Sequence, residues 1–394
     1  MKRLEQLARI GRTPGRSGVT RPGLGALEQQ ACELVAAWME EAGLAVSWDE
    51  AGNLFGRLPG SDPDLPETWA GSHLDTVPDG GGFDGALGVV VALEAITRLA
   101  AEPASRVAVV VFRDEEGCRF GNGCFGSKAV SGRLTPADLA LTDAGGTTVG
   151  EALAALGLGP EPRAGRLPCH FVEVHIEQGP RLEREDHPLA VVSAIAGMAG
   201  FSCTFHGAAG HAGTVPMPGR SDAFAACAEF ALRLRDRALS LPDAVATIGD
   251  VRIHNPASNV IPGQVQASVD VRAPEAETLA SLAGETPALA TEAARAHGCT
   301  VEVVQRWLDE PVPLSSVVAA ALRTEAEALG LPLPHLTSGA GHDAGVLAAA
   351  GVESGMLFVR SRNGGVSHRP DERSDEADIA AAIDVLAGSL ARLR

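Results

Sequence analysis

The chain is expected to fold as an α/β protein, with a mixed, mostly parallel sheet flanked by helices and a smaller α+β domain inserted into it. Three observations predict this. First, apolar stretches of strand length recur and end in polar clusters: 68–72 runs into His73-Leu74-Asp75, 107–112 into Asp114-Glu115-Glu116, 171–174 into His175-Ile176-Glu177-Gln178, and 356–359 towards His368. Second, helical periodicity lies between them, as in 85–99 behind Asp84, a residue suited to capping a helix. Strands alternating with helices build largely parallel sheets. Third, 394 residues exceed what one ordinary core organises, so two domains are expected.

Residues 24–43 place Leu27, Cys32, Leu34, Val35, Trp38 and Met39 at helical spacing and stop at Gly43. A short strand is expected near 53–58, then a surface loop over the Pro/Asp/Gly-rich run 59–64. The four strand-plus-cluster units follow. From about 196 to 310 the pattern changes. Segments of β character at 201–205, 246–253 and 264–271 surround helical runs at 221–237 and 276–296, and alternation resumes at 315–394. The expected domains are therefore a discontinuous one, 1–195 with 311–394, and an insert, 196–310.

Composition removes several function classes. Hydrophobic residues are 45% and charged residues 21%, as in a globular protein with a large core. The formal charge of −18 and the lack of a basic tract interleaved with aromatics speak against binding nucleic acid or an anionic membrane. An anionic substrate would then need a local cationic anchor. No apolar region follows the basic residues Lys2 and Arg3, so no signal peptide is expected, and no stretch is long enough to span a bilayer. Seven dispersed cysteines without a C-x-x-C pair read as reduced thiols of a cytoplasmic protein. Cys118 and Cys124 are expected to be small buried hydrophobes.

In parallel α/β sheets ligands gather at the carboxyl ends of strands, and all four polar clusters fall there. Borderline divalent cations such as Zn²⁺, Mn²⁺, Co²⁺ or Ni²⁺ favour imidazole with carboxylate, and a pair of them can activate a water and polarise a carbonyl together. His73 and Asp75 have the period-two spacing that sets both on one side of an extended backbone. His73 is thus a candidate ligand, with Asp75 fixing its tautomer. Asp84, after Gly80-Gly81-Gly82-Phe83, could bridge two ions. Glu115 and Glu116 would diverge in a plain strand, so a turn must begin there if one is to bind metal and the other to move a proton. His175 and His368 supply further imidazoles. Singly, each has an ordinary reading: a surface H-x-D, a solvated Glu-Glu pair, a helix cap, a loop histidine. Their shared placement at strand ends is what points to a metal site.

The motifs together resemble the hydantoinase/carbamoylase branch of the M20 metallopeptidase-like amidohydrolases, which includes N-carbamoyl-L-amino-acid hydrolases, β-ureidopropionases and allantoate amidohydrolases. The resemblance is carried by G-S-H-L-D-T-V at 71–77, G-G-F-D-G at 81–85, E-E-G-C-R-F at 115–120, H-I-E-Q-G-P at 175–180, G-H-A-G-T at 210–214, S-G-A-G-H-D-A at 338–344 and Ser367-His368. It implies a zinc-peptidase-like catalytic domain whose insert is a lid that forms a homodimer. It implies two divalent ions: Asp84 bridging, His73 and His175 on one, Glu116 and His368 on the other, and Glu115 as general base. His211 would stabilise the oxyanion, Gln178 and Asn259 would bind polar substrate atoms, and Arg272 would grip a substrate carboxylate, a role its planar fork suits. Gly341 and His342 either contact substrate or shape the turn before a helix. His175, where M20 peptidases generally place a carboxylate, points from peptides to ureido substrates. The sequence departs from the family pattern at Asp114, at Asn255-Pro256-Ala257-Ser258-Asn259 and at Arg369.

The function expected is hydrolysis of N-carbamoyl-L-amino acids to amino acid, carbon dioxide and ammonia. Its rivals are allantoate hydrolysis, an M20 aminopeptidase or dipeptidase, and a binding protein on a catalytically dead scaffold.

Overall fold

A computed structural model describes residues 1–12, 15–59, 65–99, 106–159 and 161–393. In chain order the strands are β1 (Ala45–Trp48), β2 (Leu54–Arg57), β3 (Thr68–His73), β4 (Val107–Phe112), β5 (His170–Ile176), β6 (Leu189–Ile195), β7 (Gly197–His206), β8 (Gly210–His211), β9 (Val245–Ile253), β10 (Val260–Ile261), β11 (Gln264–Ala273), β12 (Thr300–Asp309), β13 (Val312–Pro313), β14 (His335–Ser338) and β15 (Glu353–Val359). The chain divides into two compact units: Met1–Ser193, Pro313–Leu336 and Gly341–Arg394 form one, and Ala194–Val312 with Thr337–Ala340 the other. The short return 337–340, expected with the first domain, belongs to the second.

The first unit is organised by a nine-stranded sheet of order β1-β2-β4-β3-β5-β15-β6-β13, with β14 also on β6. Its centre, β4-β3-β5-β15, is parallel. β1, β2 and β6 join antiparallel. Every residue of β3 and β4 is buried, because helices cover both faces of a parallel sheet, which is why these strands read as unbroken apolar runs. The helix Ala86–Leu99 is itself almost wholly buried, and it shares one core with the helices Ala26–Glu41, Ser316–Ala328 and Glu376–Arg392. The strand order reverses at β3, with β4 on one side and β5 on the other, which creates the crevice where doubly wound sheets take ligands.

The second unit is a four-stranded antiparallel sheet of order β12-β7-β11-β9. Alternate residues Phe201, Cys203 and Phe205 of β7 and Val265, Ala267, Val269 and Val271 of β11 are buried in a core with the helices Ala223–Leu239 and Ala276–Ala296. A separate two-stranded ladder pairs β8 with β10. The seven cysteines are unpaired, and no described helix is long and apolar enough to cross a membrane. Of the expected surface loop at 59–64, only Pro59 lies within the described residues, and it is exposed.

Candidate active site

Strand register sets the first two imidazoles. Gly71 of β3 pairs with Glu173 of β5 in parallel, so two residues on His73 and His175 leave the sheet side by side, with ring centroids 5.8 Å apart. The chain then passes directly over the His73 ring: a Cβ on Gly85, whose φ is +59°, would lie 2.5 Å from it. Only glycine allows that approach and that backbone. The passage delivers Asp84 to the imidazoles. Its Oδ1 lies 3.1 Å from His175 Nε2 and 3.5 Å from His73 Nε2, while its Oδ2 lies 3.4 Å from His368 Nε2. His368 Nε2 is also 3.4 Å from Glu116 Oε2. Two groups suited to a cation result, His73–Asp84–His175 and Asp84–Glu116–His368, and Asp84 belongs to both. The following helix begins at Ala86, so Gly85 stands between it and Asp84, the cap expected; the Asp84 carboxylate is turned into this cluster.

The turn required at the glutamate pair is present. β4 ends at Phe112, and Asp114 takes a left-handed conformation with φ 49°. Three successive amides are then captured by buried carboxylates. Asp114 N–H donates to Glu28 Oε1 at 2.9 Å, and Glu115 and Glu116 N–H donate to Asp75 Oδ1 and Oδ2, each at 3.0 Å. Asp75 Oδ1 also lies 3.3 Å from His73 Nδ1. Asp75 therefore touches His73 as expected and, beyond that, holds the glutamate turn. Glu28 is in turn paired with buried Arg113, whose Nε donates to Glu28 Oε2 at 2.8 Å.

The electrostatics show a pocket short of positive charge. Burial lifts the Glu115 carboxyl well above the usual range, and Asp343, Glu116 and Asp75 add to the rise. Burial, with the charge of Asp84, pushes Glu116 up to about 8. Burial would depress the His73 imidazole, but Glu115, Asp75 and Asp84 reverse this and hold it well above its ordinary value. Burial would also raise Asp84, yet His175 and His73 keep it well below the carboxylate range. His73 Nε2, His175 Nε2 and Glu116 Oε1 are buried without a well-formed hydrogen bond. Inward-facing orphan nitrogens and oxygens of this chemistry fit divalent cations.

Gln178, expected to meet substrate, turns its amide nitrogen to Asp84 Oδ2 at 2.8 Å and Ser367 Oγ at 3.2 Å, while its Oε1 is buried without a hydrogen-bond partner. His342 lies beside the base, with Nδ1 4.0 Å from Glu115 Oε1 and its ring 4.5 Å from that of His175. Burial, helped by the charge on His175, holds its pKa well below the ordinary value. Gly341 is exposed before it. Cys124 is half-buried with Sγ 3.9 Å from Glu115 Oε1, and Cys118 is exposed, so neither is the buried hydrophobe expected.

Sequence reasoning gave no role to Ser367, Glu372, Asp343 or Glu173. Ser367 Oγ lies 3.0 Å from Asp84 Oδ2. Glu372 Oε2 accepts from Phe83 and Asp84 N–H at 2.9 and 3.0 Å. Asp343 accepts from Ser127 Oγ at 2.5 Å, and Glu173 from Ser72 Oγ and Ala344 N–H. For three of them a signal lay beside the motifs: Ser367 precedes His368, Asp343 follows His342, and Glu173 stands two residues before His175 on one strand, whereas Glu372 lies outside every motif stretch.

The second unit carries the remaining residues. His211 and Asn259 are exposed neighbours: His211 pairs with Val260, and Ala212 N–H donates to the Asn259 carbonyl. Arg272 is partly exposed, and its fork is engaged by Asp270, Nε to Oδ1 at 2.8 Å and Nη2 to Oδ2 at 3.1 Å, while Nη1 donates to the Gly339 carbonyl.

The sequence profile of the peptidase family M20/M25/M40 matches residues 69–392. The chain is 37% identical to an N-carbamoyl-L-amino-acid amidohydrolase of Pseudomonas sp. (strain NS671), over 98% of this chain and 96% of that one. It is 40% identical to an N-carbamoyl-L-amino acid amidohydrolase of Geobacillus stearothermophilus, covering 98% and 95%. A probable allantoate deiminase of Oryza sativa subsp. japonica is 35% identical over 96% and 85%. Among solved structures, an amidase of the hydantoinase/carbamoylase family from Burkholderia multivorans superposes with a TM-score of 0.91 at 34% identity, covering 99% and 95%.

Proposed function

The chain belongs to the peptidase family M20/M25/M40, among its hydantoinase/carbamoylase amidases, and from that premise we propose that it hydrolyses the ureido C–N bond of N-carbamoyl-L-amino acids. The observation that carries this reading is Asp84 standing between two imidazole–carboxylate groups, with the buried Glu115 beside them.

His73, Asp84 and His175 would hold one divalent cation and Asp84, Glu116 and His368 a second, Zn²⁺, Mn²⁺, Co²⁺ or Ni²⁺ all suiting such donors. Bound cations would supply Lewis acidity, making a water acidic and polarising the ureido carbonyl. Glu115 takes the proton from that water as it attacks the carbonyl carbon. The C–N bond to the amino acid breaks, and Glu115 returns the proton to the departing nitrogen. The carbamate left behind decomposes to carbon dioxide and ammonia. Asp75 fixes both the His73 ring and the turn bearing Glu115. To His211 we assign stabilisation of the oxyanion, to Asn259 a polar substrate atom, and to Arg272 the substrate carboxylate. We assign the second unit the role of lid and homodimer former, which sedimentation at several concentrations tests. The unpaired cysteines suit the reducing cytoplasm.

Ammonia release from a panel of N-carbamoyl-L-amino acids and allantoate, and release of free amino acids from dipeptides, with each metal added separately, test the reading. Turnover of carbamoyl amino acids is expected. Preference for allantoate would support the second reading that the rice relative favours, and cleavage of dipeptides alone would overturn both. Glu115→Gln should lower kcat by about 10²–10⁴-fold while metal stays bound. Wild-type turnover in that variant would overturn the assignment of the base, and an absence of bound divalent metal in the native protein would favour a catalytically dead scaffold.

A further inference from the structure

Four of the five candidate ligands are held by burial: the side chains of His73, His175, Asp84 and Glu116 are 1, 1, 5 and 8% exposed. His368 is different. It is half exposed at 50%, and its backbone is left-handed with φ 59°, a conformation that a non-glycine residue keeps only when its surroundings impose it. Packing alone does not place it.

What ties its loop down is Glu372, a buried carboxylate four residues on. Glu372 Oε2 accepts from the Phe83 and Asp84 amides, and Ser367 Oγ lies 3.2 Å from Glu372 Oε1. Ser367 Oγ is also within reach of Asp84 Oδ2, and Gln178 Nε2 donates to both Asp84 and Ser367. One carboxylate thus bridges the backbone of Asp84, the ligand shared by the two groups, and the residue preceding His368. The loop leaves room for it: a Cβ on Gly81 would lie 2.0 Å from Glu372 Oε2, so glycine at 81 is required by the contact.

We propose that Glu372 is a positioning residue that assembles the Asp84–Glu116–His368 half of the centre by latching the 366–372 loop to the amides of Phe83 and Asp84. The inference rests on the reading that both groups bind a divalent ion. Its consequence is asymmetric. Loss of the latch frees His368 but leaves His73 and His175, fixed by strand register, in place. Outer-shell partners of ligands commonly contribute about 10–100-fold in metal affinity, and here that loss falls mainly on one ion of two.

The test is a Co²⁺ titration of the metal-free protein, read by visible absorption and by bound stoichiometry, with no substrate present. Wild type is expected to bind two equivalents. Glu372→Ala should weaken the second equivalent at least tenfold more than the first, which keeps His73 and His175 in place although Asp84 is loosened. Glu372→Gln should recover most of that loss, because an amide oxygen still accepts from both backbone N–H groups. Ser367→Ala, which removes the hydroxyl's contacts with Glu372, Asp84 and Gln178, should weaken the second equivalent more than the first, and it carries the test should Glu372→Ala fail to fold. Equal loss of both equivalents in these variants, or two equivalents at wild-type affinity, would overturn the latch. A wild-type protein binding fewer than two equivalents would instead overturn the two-ion reading.

Discussion

Replacing Asp75 by Asn separates two jobs of one side chain. If Asp75 served only to orient His73, the substitution would alter metal affinity and leave the apo protein as stable as before. The structure assigns it a second job, since its two oxygens accept the Glu115 and Glu116 amides at 3.0 Å each in a buried turn. Hydrogen bonds to a charged group contribute about 1.5–3 kcal/mol each. Asparagine keeps one acceptor and turns an NH₂ towards the other N–H, so one bond is lost and a buried donor is stranded at about 1–3 kcal/mol. The expected destabilisation is therefore about 2.5–6 kcal/mol, the two contributions together. Glu115 should shift with its amide, and a displacement of about 1 Å in a catalytic group can cost about 10²-fold. Urea unfolding of the metal-free protein, alongside kcat/KM in ammonia release, measures both. An unchanged unfolding midpoint with kcat/KM within about threefold of wild type, well short of that 10²-fold loss, would refute the reasoning.

Three further outcomes are expected. Asp343, buried and pushed up to about 8 from 3.8 by desolvation and by Glu173, holds its proton in the folded state across a window where the unfolded chain has released it. Stability therefore falls as pH rises from about 4 to about 8, so Asp343→Asn should be more stable than wild type at pH ~8.5 and little different at pH ~4, as urea midpoints at the two values would show. Glu28→Ala strands the buried Arg113 guanidinium and should destabilise by about 3–5 kcal/mol, measurable by the same unfolding assay. Arg272→Lys loses the planar fork; steady-state kinetics should show KM for a carbamoyl amino acid rising about tenfold or more, with kcat changed less, and an unchanged KM would remove Arg272 from substrate binding.

Much of the fold was legible because its signals are local. The parallel strands announced themselves as apolar runs ending in His or acidic residues, and β3, β4 and β5 lie within a residue or two of the expected limits. β1 and β12 were not anticipated. Their residues are mostly exposed, so neither has the buried run that marks a core strand, and they form by pairing with β2 and β7. Cys118 and Cys124 were misjudged for a related reason: their environment is set by the turn after Asp114, which composition does not encode.

By itself the sequence determined the donor types and their placement at strand ends, because an apolar run and the polar residue that stops it are neighbours in the chain. Which oxygen serves which partner was decided only by tertiary structure. Asp84 comes between His175 and His368, Asp75 closes the glutamate turn 40 residues on, and Glu372 reaches back 288 residues to the Asp84 amide. Such contacts depend on strand register and on how loops from distant segments meet over one crevice, and no local pattern carries that information.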